Sequence, residues 1–184
     1  MNWLKKTLDF GQKIKRFLKK RPSRQDIENS DWVSCCGPIL KKDLENNLFV
    51  CAKCNKHHRM SCVQRFDTFF GKGNYQILNT PISNNEDPLL WKDKVAYSEK
   101  LKAAKKNTKQ DCAIMVATGN INDIEVVVAS ANMSFLGASV SISESEAIVF
   151  AVQHAIDNNK SFINFCSGGG MRMMTSAIAL NAGM

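Results

Sequence analysis

One stretch near the C-terminal end constrains this chain more than any other: the run Ser161-Phe162-Ile163-Asn164-Phe165-Cys166 leads straight into Ser167-Gly168-Gly169-Gly170-Met171-Arg172. A short β-prone run bounded by glycine predicts a buried strand over 162–166. The spacing of Met174, Ile178 and Leu180 predicts a helix over 173–180 packed on it. Consecutive glycines let the backbone take positive φ and approach a ligand closely. Their N–H groups can then face an oxyanion, with a helix N-terminus behind them. The same glycines also serve as a plain tight connection.

Upstream, the pattern that precedes this junction repeats its logic. Residues 113–119 read as a strand, Asn122-Asp123 as a hairpin turn and 124–130 as the return strand. Small residues then form a turn over Phe135-Leu136-Gly137-Ala138-Ser139, and 144–158 reads as a helix with Ala147, Phe150, Ala151, His154 and Ala155 on one face. Strand, strand, helix, strand, helix, with glycines at the strand ends, is the repeating ββα unit of a spiral α/β fold. His154 reads as a packed or solvated side chain without a chemical role.

The second constraint is cysteine. Trp32-Val33-Ser34-Cys35-Cys36-Gly37-Pro38 is followed by Leu48-Phe49-Val50-Cys51-Ala52-Lys53-Cys54, the latter a Cys-x-x-Cys. Two such clusters separated by a hairpin-length spacer form a zinc-ribbon signature, with Cys35, Cys36, Cys51 and Cys54 as candidate ligands of a structural zinc. Adjacent Cys35 and Cys36 are not expected to form the usual looped knuckle around one ion. His57 or His58 is the alternative ligand, and buried thiols without metal are the other reading. The start of the sequence carries no apolar secretory core, so seven cysteines point to reduced thiols or metal ligands and to the cytoplasm.

Between and before these features the chain is basic, with a net charge of +8. Residues 3–18 read as an amphipathic helix rich in lysine, and 22–31 as a polar linker. Residues 63–70 read as a helix and 74–90 as irregular. Residues 91–107 read as a basic amphipathic helix whose inner face carries Trp91, Val95, Leu101 and Ala104, its lysines either solvated or directed at nucleotide phosphates. The charge asymmetry also allows an RNA-binding ribbon module. No apolar run approaches the roughly 20 residues that span a bilayer. The expected organisation is a basic N-terminal helix and linker over 1–31, a ribbon over 32–58 and a main α/β domain over 59–184.

Taken together, the opening Met-Asn-Trp-Leu, Trp32-x-x-Cys35, Leu44-Glu45-Asn46-Asn47-Leu48-Phe49-Val50-Cys51-x-x-Cys54, Asp87-Pro88 and Lys92-Asp93-x-x-x-Tyr97-Ser98-x-x-Leu101 resemble the carboxyltransferase β subunits of bacterial acetyl-CoA carboxylase. So do Phe135-Leu136-Gly137-Ala138-Ser139, Glu146 and Ser167-Gly168-Gly169 with Arg172-Met173 beyond. The resemblance implies part of a crotonase/ClpP-like spiral behind a zinc ribbon. It implies transfer of a carboxyl group from carboxybiotin on a biotin carboxyl carrier protein to acetyl-CoA, giving malonyl-CoA for fatty-acid synthesis. The partner it implies is an α subunit, in an α2β2 heterotetramer. By position, Gly168 and Gly169 would form the oxyanion hole for the enolate, and Gly137 and Ala138 would line the thioester side. Arg172 and the basic helix from Lys92 would lie toward CoA phosphates. Several positions depart from the family pattern. Ser-Gly-Gly is followed by Gly170-Met171-Arg172-Met173-Met174-Thr175-Ser176 where the family has Ala-Arg-Met-Gln-Glu-Gly, and Ala138, Ser141 and Ser145 replace glycines. The sequence stops at Met184 where the family continues, which predicts either a fragment or an inactive relative that assembles without turnover.

Overall fold

The computed structural model describes residues 32–181. The helix and linker expected over 1–31 lie outside the described residues. The chain divides into two compact units between His58 and Arg59.

In the first unit, β1 (Trp32–Ser34) and β2 (Pro38–Leu40) pair antiparallel as a short hairpin. A one-and-a-half-turn helix, α1 (Lys41–Asn46), follows directly and buries Leu44. The sequence pattern did not predict it. Phe49, 7% exposed, is the other apolar anchor, and Val50 bridges His57 to close a second turn around residues 51–56.

In the second unit a four-stranded sheet has the order β3-β4-β5-β6. These strands are Tyr75–Leu78, Ile114–Ile121, Ile124–Ala131 and Ser161–Phe165. The first three pair antiparallel, with Asn122 and Asp123 both at positive φ in the β4–β5 turn. That geometry suits a two-residue hairpin loop. From β5 the chain crosses over through α4 (Ile142–Asp157) to β6, which pairs parallel to β5 with Val126 opposite Ser161.

Strand alternation sends the two faces of β5 to different helices. Val127, Ala129 and Ala131 meet Ala147, Ala151 and Ala155 of α4. These three alanines recur every fourth residue, so they form one stripe of the helix, and their small size lets it lie close on the sheet. Val126 and Val128, with Ala117 of β4, meet Cys62, Phe66 and Phe70 of α2 (Cys62–Phe70) on the other face. The N-cap of α2 is Ser61, which accepts from the Gln64 N–H while the Gln64 side chain accepts from the Ser61 N–H, a capping box. A third cluster joins Tyr97, Leu101 and Ala104 of α3 (Tyr97–Thr108) to Ala113 and Phe135.

Three expectations for this unit are corrected. Residues 75–78 form strand β3 inside a segment expected to be irregular. The basic helix begins at Tyr97, not at residue 91: the Asp87 carboxylate accepts from the Trp91 N–H, the Trp91 carbonyl accepts from the Tyr97 N–H, and Val95 is left exposed. The final helix is broken in two, a 3-10 turn over Met173–Thr175 and then α5 (Ala177–Asn181), because Ser176 adopts positive φ between them. No helix among the described residues is long and apolar enough to cross a membrane.

Candidate active site and metal centre

The two glycine turns expected to carry the chemistry follow the C-terminal ends of the parallel strands β5 and β6. Ligands of α/β sheets gather at that end of the strands. The turn after β5 is a 3-10 turn over Leu136–Ala138, and the turn after β6 spans Cys166 to Arg172. They lie side by side. The Gly169 N–H donates to the Gly137 carbonyl (3.0 Å), the Val140 N–H to the Gly170 carbonyl (2.8 Å), and the Arg172 N–H to the Val140 carbonyl (2.6 Å).

Thus the structure brings Gly137, Ala138, Gly168 and Gly169 together, with one departure from the expected roles. The Gly169 N–H is engaged by Gly137, so it ties the turns together and does not face a ligand. The Gly168 N–H has no acceptor among the described residues, and Gly168 is exposed. Glycine is required at 168 by close approach: a Cβ there would stand 2.5 Å from the Ala138 carbonyl oxygen. The upstream turn is itself unusual, with Leu136, Gly137 and Ala138 at φ of 46°, 68° and 53°. Only the glycine takes that conformation without steric cost.

Arg172 does not reach toward solvent as a phosphate contact would. It is 3% exposed, and its guanidinium is used up inside the protein. Nε donates to Ser139 Oγ (3.1 Å), one terminal nitrogen to the Tyr97 hydroxyl (2.9 Å), and the other to the Ser139 carbonyl (2.6 Å) and to Glu144 Oε1 (2.7 Å). The Glu144 carboxylate also accepts from the Ala113 N–H (3.0 Å) and the Ser141 N–H (3.0 Å), so both oxygens are occupied. Burial acts to lower the arginine pKa, but the Glu144 charge and the Tyr97 hydroxyl outweigh it and the net shift is upward. This is a fully paired buried ion pair, the arrangement that tolerates desolvation. The sequence reading gave neither Glu144 nor Tyr97 a role in the site: Tyr97 entered only as one residue of the family resemblance, and the local signal for Glu144 was its place three residues after Ser141, at the start of a predicted helix.

Two clefts elsewhere on this unit do not involve these turns. One of about 310 Å³ is lined by Ile77, Leu78, Ile82, Lys109 and Cys112 among others. Another, of about 620 Å³, lies around Tyr75, Gly119, Glu125 and Lys160, at the opposite ends of the strands. Of the basic helix, Lys105 pairs with Glu86 (2.7 Å) and Lys100 lies over the Trp91 ring.

In the ribbon, the sulfurs of Cys35, Cys36, Cys51 and Cys54 all lie within 4.8 Å of one another. Cys35 to Cys54 is 3.4 Å and Cys36 to Cys51 is 3.8 Å. Thiolates bound at the usual distance to a tetrahedral zinc stand about 3.8 Å apart, so the donor set fits such an ion. Adjacency of Cys35 and Cys36 therefore does not prevent convergence, contrary to the sequence expectation. The Cys35 N–H turns back to the Gly37 carbonyl (3.0 Å), and both thiols enter the cluster. Neither His57 nor His58 belongs to it. The backbone N–H groups of Cys54 and Lys53 draw the Cys51 thiol down to about 6, whereas the hydrogen bond with Cys54, then burial, pushes Cys35 up to about 11.

No family model matches the chain. Curated relatives do. The chain is 53% identical over 98% of its length to the acetyl-coenzyme A carboxylase carboxyl transferase subunit beta of Pelagibacter ubique, covering 59% of that protein. It is 35% identical over 98% of its length to the protein of the same name from Granulibacter bethesdensis, covering 57% of it. The chain thus spans somewhat under three-fifths of the length of these relatives. Among solved structures, transcarboxylase 12S with hydrolysed methylmalonyl-coenzyme A bound aligns at a TM-score of 0.50, covering 92% of this chain and 27% of the other at 15% identity. The likeness to carboxyltransferase β subunits therefore runs over nearly the whole chain, and the fold is like that of transcarboxylase 12S, a spiral α/β arrangement of the kind expected from the sequence.

Proposed function

We propose that this chain works as the β-type subunit of an acetyl-CoA carboxylase carboxyltransferase, in the cytoplasm and together with an α subunit. In this reading a carboxyl group passes from carboxybiotin on a carrier protein to the methyl carbon of acetyl-CoA, giving malonyl-CoA. The observation that carries it is the pairing of the two glycine turns, through the 3.0 Å bond from Gly169 N–H to Gly137 O, at the C-terminal ends of β5 and β6.

Loss of a proton from the acetyl methyl, which would end on the biotin nitrogen that gives up the carboxyl group, puts negative charge on the thioester oxygen. Backbone N–H donors fixed in advance stabilise such an oxyanion by a few kcal/mol each. The exposed Gly168 N–H is the donor this chain offers, and Gly169 holds the second turn against the first. Gly137 and Ala138 line the thioester side. Biotin on the carrier would supply the activated carboxyl group, and the chain's own part is to bind the thioester and keep its oxygen against the glycine backbone. Cys35, Cys36, Cys51 and Cys54 would hold a structural zinc that fixes the ribbon. Domain limits of 32–58 for the ribbon and 59–184 for the carboxyltransferase part accompany this reading.

The test is malonyl-CoA-dependent carboxylation of free biotin by the metal-loaded chain combined with an α-type partner, together with calorimetric titration of acetyl-CoA. Turnover that requires both chains, and saturable acetyl-CoA binding, are expected. A folded, metal-loaded complex that neither binds acetyl-CoA nor turns over would overturn the assignment; binding without turnover would indicate the inactive assembly subunit.

A further inference from the structure

We propose that Arg172 and Glu144 are a positioning pair that sets the gap between the two glycine turns and so governs how tightly an acyl-thioester is held, an inference that rests on the reading of those turns given above. Arg172 lies in the second turn, yet it grips the first from three directions. Its side chain donates to both the carbonyl and the hydroxyl of Ser139, and its backbone N–H donates to the Val140 carbonyl. Glu144 then refers this grip to the core, since its carboxylate also accepts from Ala113 at the entrance to β4 and from Ser141 at the start of α4. Tyr97 of α3 adds a fourth attachment, and the guanidinium carbon lies 5.8 Å from the centre of the Phe135 ring.

The grip has a specific object. Leu136, Gly137 and Ala138 hold three successive positive φ values, a conformation that persists only where surrounding contacts over-determine it. The turn is followed at once by Ser139, where Arg172 takes hold. A planar, forked guanidinium can satisfy Ser139, Tyr97 and Glu144 together, and a lysine ammonium on a flexible stem cannot reproduce that spread. Loss of the fork should therefore release the first turn while leaving the sheet and α2 intact.

The experiment compares the wild-type, metal-loaded chain, with its α-type partner, against Arg172→Lys, Arg172→Ala and Glu144→Gln. Hydrogen exchange, acetyl-CoA affinity by calorimetry and circular dichroism are read for each. The expected result is a native-like spectrum for Arg172→Lys and Glu144→Gln, exchange over 136–141 faster by about tenfold or more with α2 unchanged, and acetyl-CoA affinity weaker by about tenfold. Added ethylguanidinium should restore part of the affinity and protection of Arg172→Ala, which a general loss of stability would not show. Should Arg172→Ala not fold, the two conservative variants carry the same comparison. Wild-type exchange over 136–141 in folded Arg172→Lys overturns the proposal. A wild-type chain that binds no acetyl-CoA defeats the functional reading instead, and the exchange comparison still decides whether the pair positions the turn.

Discussion

Gly168 approaches the Ala138 carbonyl so closely that a β-carbon placed on it would stand 2.5 Å from the oxygen, closer than real contacts allow. The obstacle is backbone, which cannot rotate away as a side chain would. Gly168→Ala must therefore push the two turns apart and weaken the 3.0 Å bond from Gly169 N–H to Gly137 O. Overpacking of this kind costs about 1–3 kcal/mol. The expected outcome is a folded protein with a modestly lower melting temperature and a larger loss of acetyl-CoA affinity. Unchanged affinity in calorimetry would show that the contact between the turns does not shape the proposed thioester site.

The same contact shows how far the sequence could be read. Glycine at 168 and 169, the strand before them and the spiral order of elements were legible, because a β-prone run and a glycine cluster are local signals. The division of labour between the two glycines was not legible. It depends on Gly137, 32 positions earlier, arriving beside Gly169, which only the α4 crossover arranges. Arg172 misled for a related reason. An arginine after a glycine turn reads as a ligand contact, and its burial here follows from Glu144, Tyr97 and Ser139, which three separate elements bring to it. Strand β3 escaped notice because it is four residues long and Ile77 on it remains exposed.

The buried pair itself makes an energetic prediction. Glu144 and Arg172 side chains are 1% and 2% exposed at 2.7 Å, so removing either one leaves a charge in the interior without its partner. Truncation of one member of such a pair costs about 3–5 kcal/mol, and replacing both with apolar residues of like volume costs much less. In urea unfolding, Glu144→Leu or Arg172→Met alone should lower stability by that amount, and the double variant should recover a large part of the loss. Additive losses in the double variant would mean that the two side chains act independently.

For the ribbon, the expected metal content is about one ion per chain. Cys51, which is 1% exposed, is the most enclosed of the four clustered cysteines, and its N–H and carbonyl are both engaged, with Lys56 and Asn55. Cys51→Ser should release the metal, and because ribbon folding draws on metal binding, the first unit should lose its structure while the second keeps its own. Elemental analysis and proteolysis between residues 32 and 58 read the two effects. A ribbon that stays folded and protease-resistant with no metal bound would refute the site.

Cys112 gives the pH dependence a sign. It lies 2% exposed at the entrance to β4, and burial, with the Glu144 and Glu86 charges adding to it, pushes its thiol up from the ordinary 9.0 to about 12. In the unfolded chain the thiol ionises near pH 9, while the folded chain keeps its proton. Unfolding therefore releases a proton above pH 9, and stability falls as the pH rises. The contribution is fully present below about pH 9 and is lost progressively toward about pH 12, at about 1.4 kcal/mol per pH unit for one thiol. The buried Cys62 thiol, also shifted upward by burial, acts in the same direction. Urea midpoints measured on either side of pH 9 should show the decline, and Cys112→Ala should flatten it by the share of one thiol. The slope is the quantity to compare, because the alanine variant also loses packing at every pH. An unchanged slope in Cys112→Ala would mean that this thiol ionises in the folded protein as readily as in the unfolded one, and that the entrance to β4 is open to water.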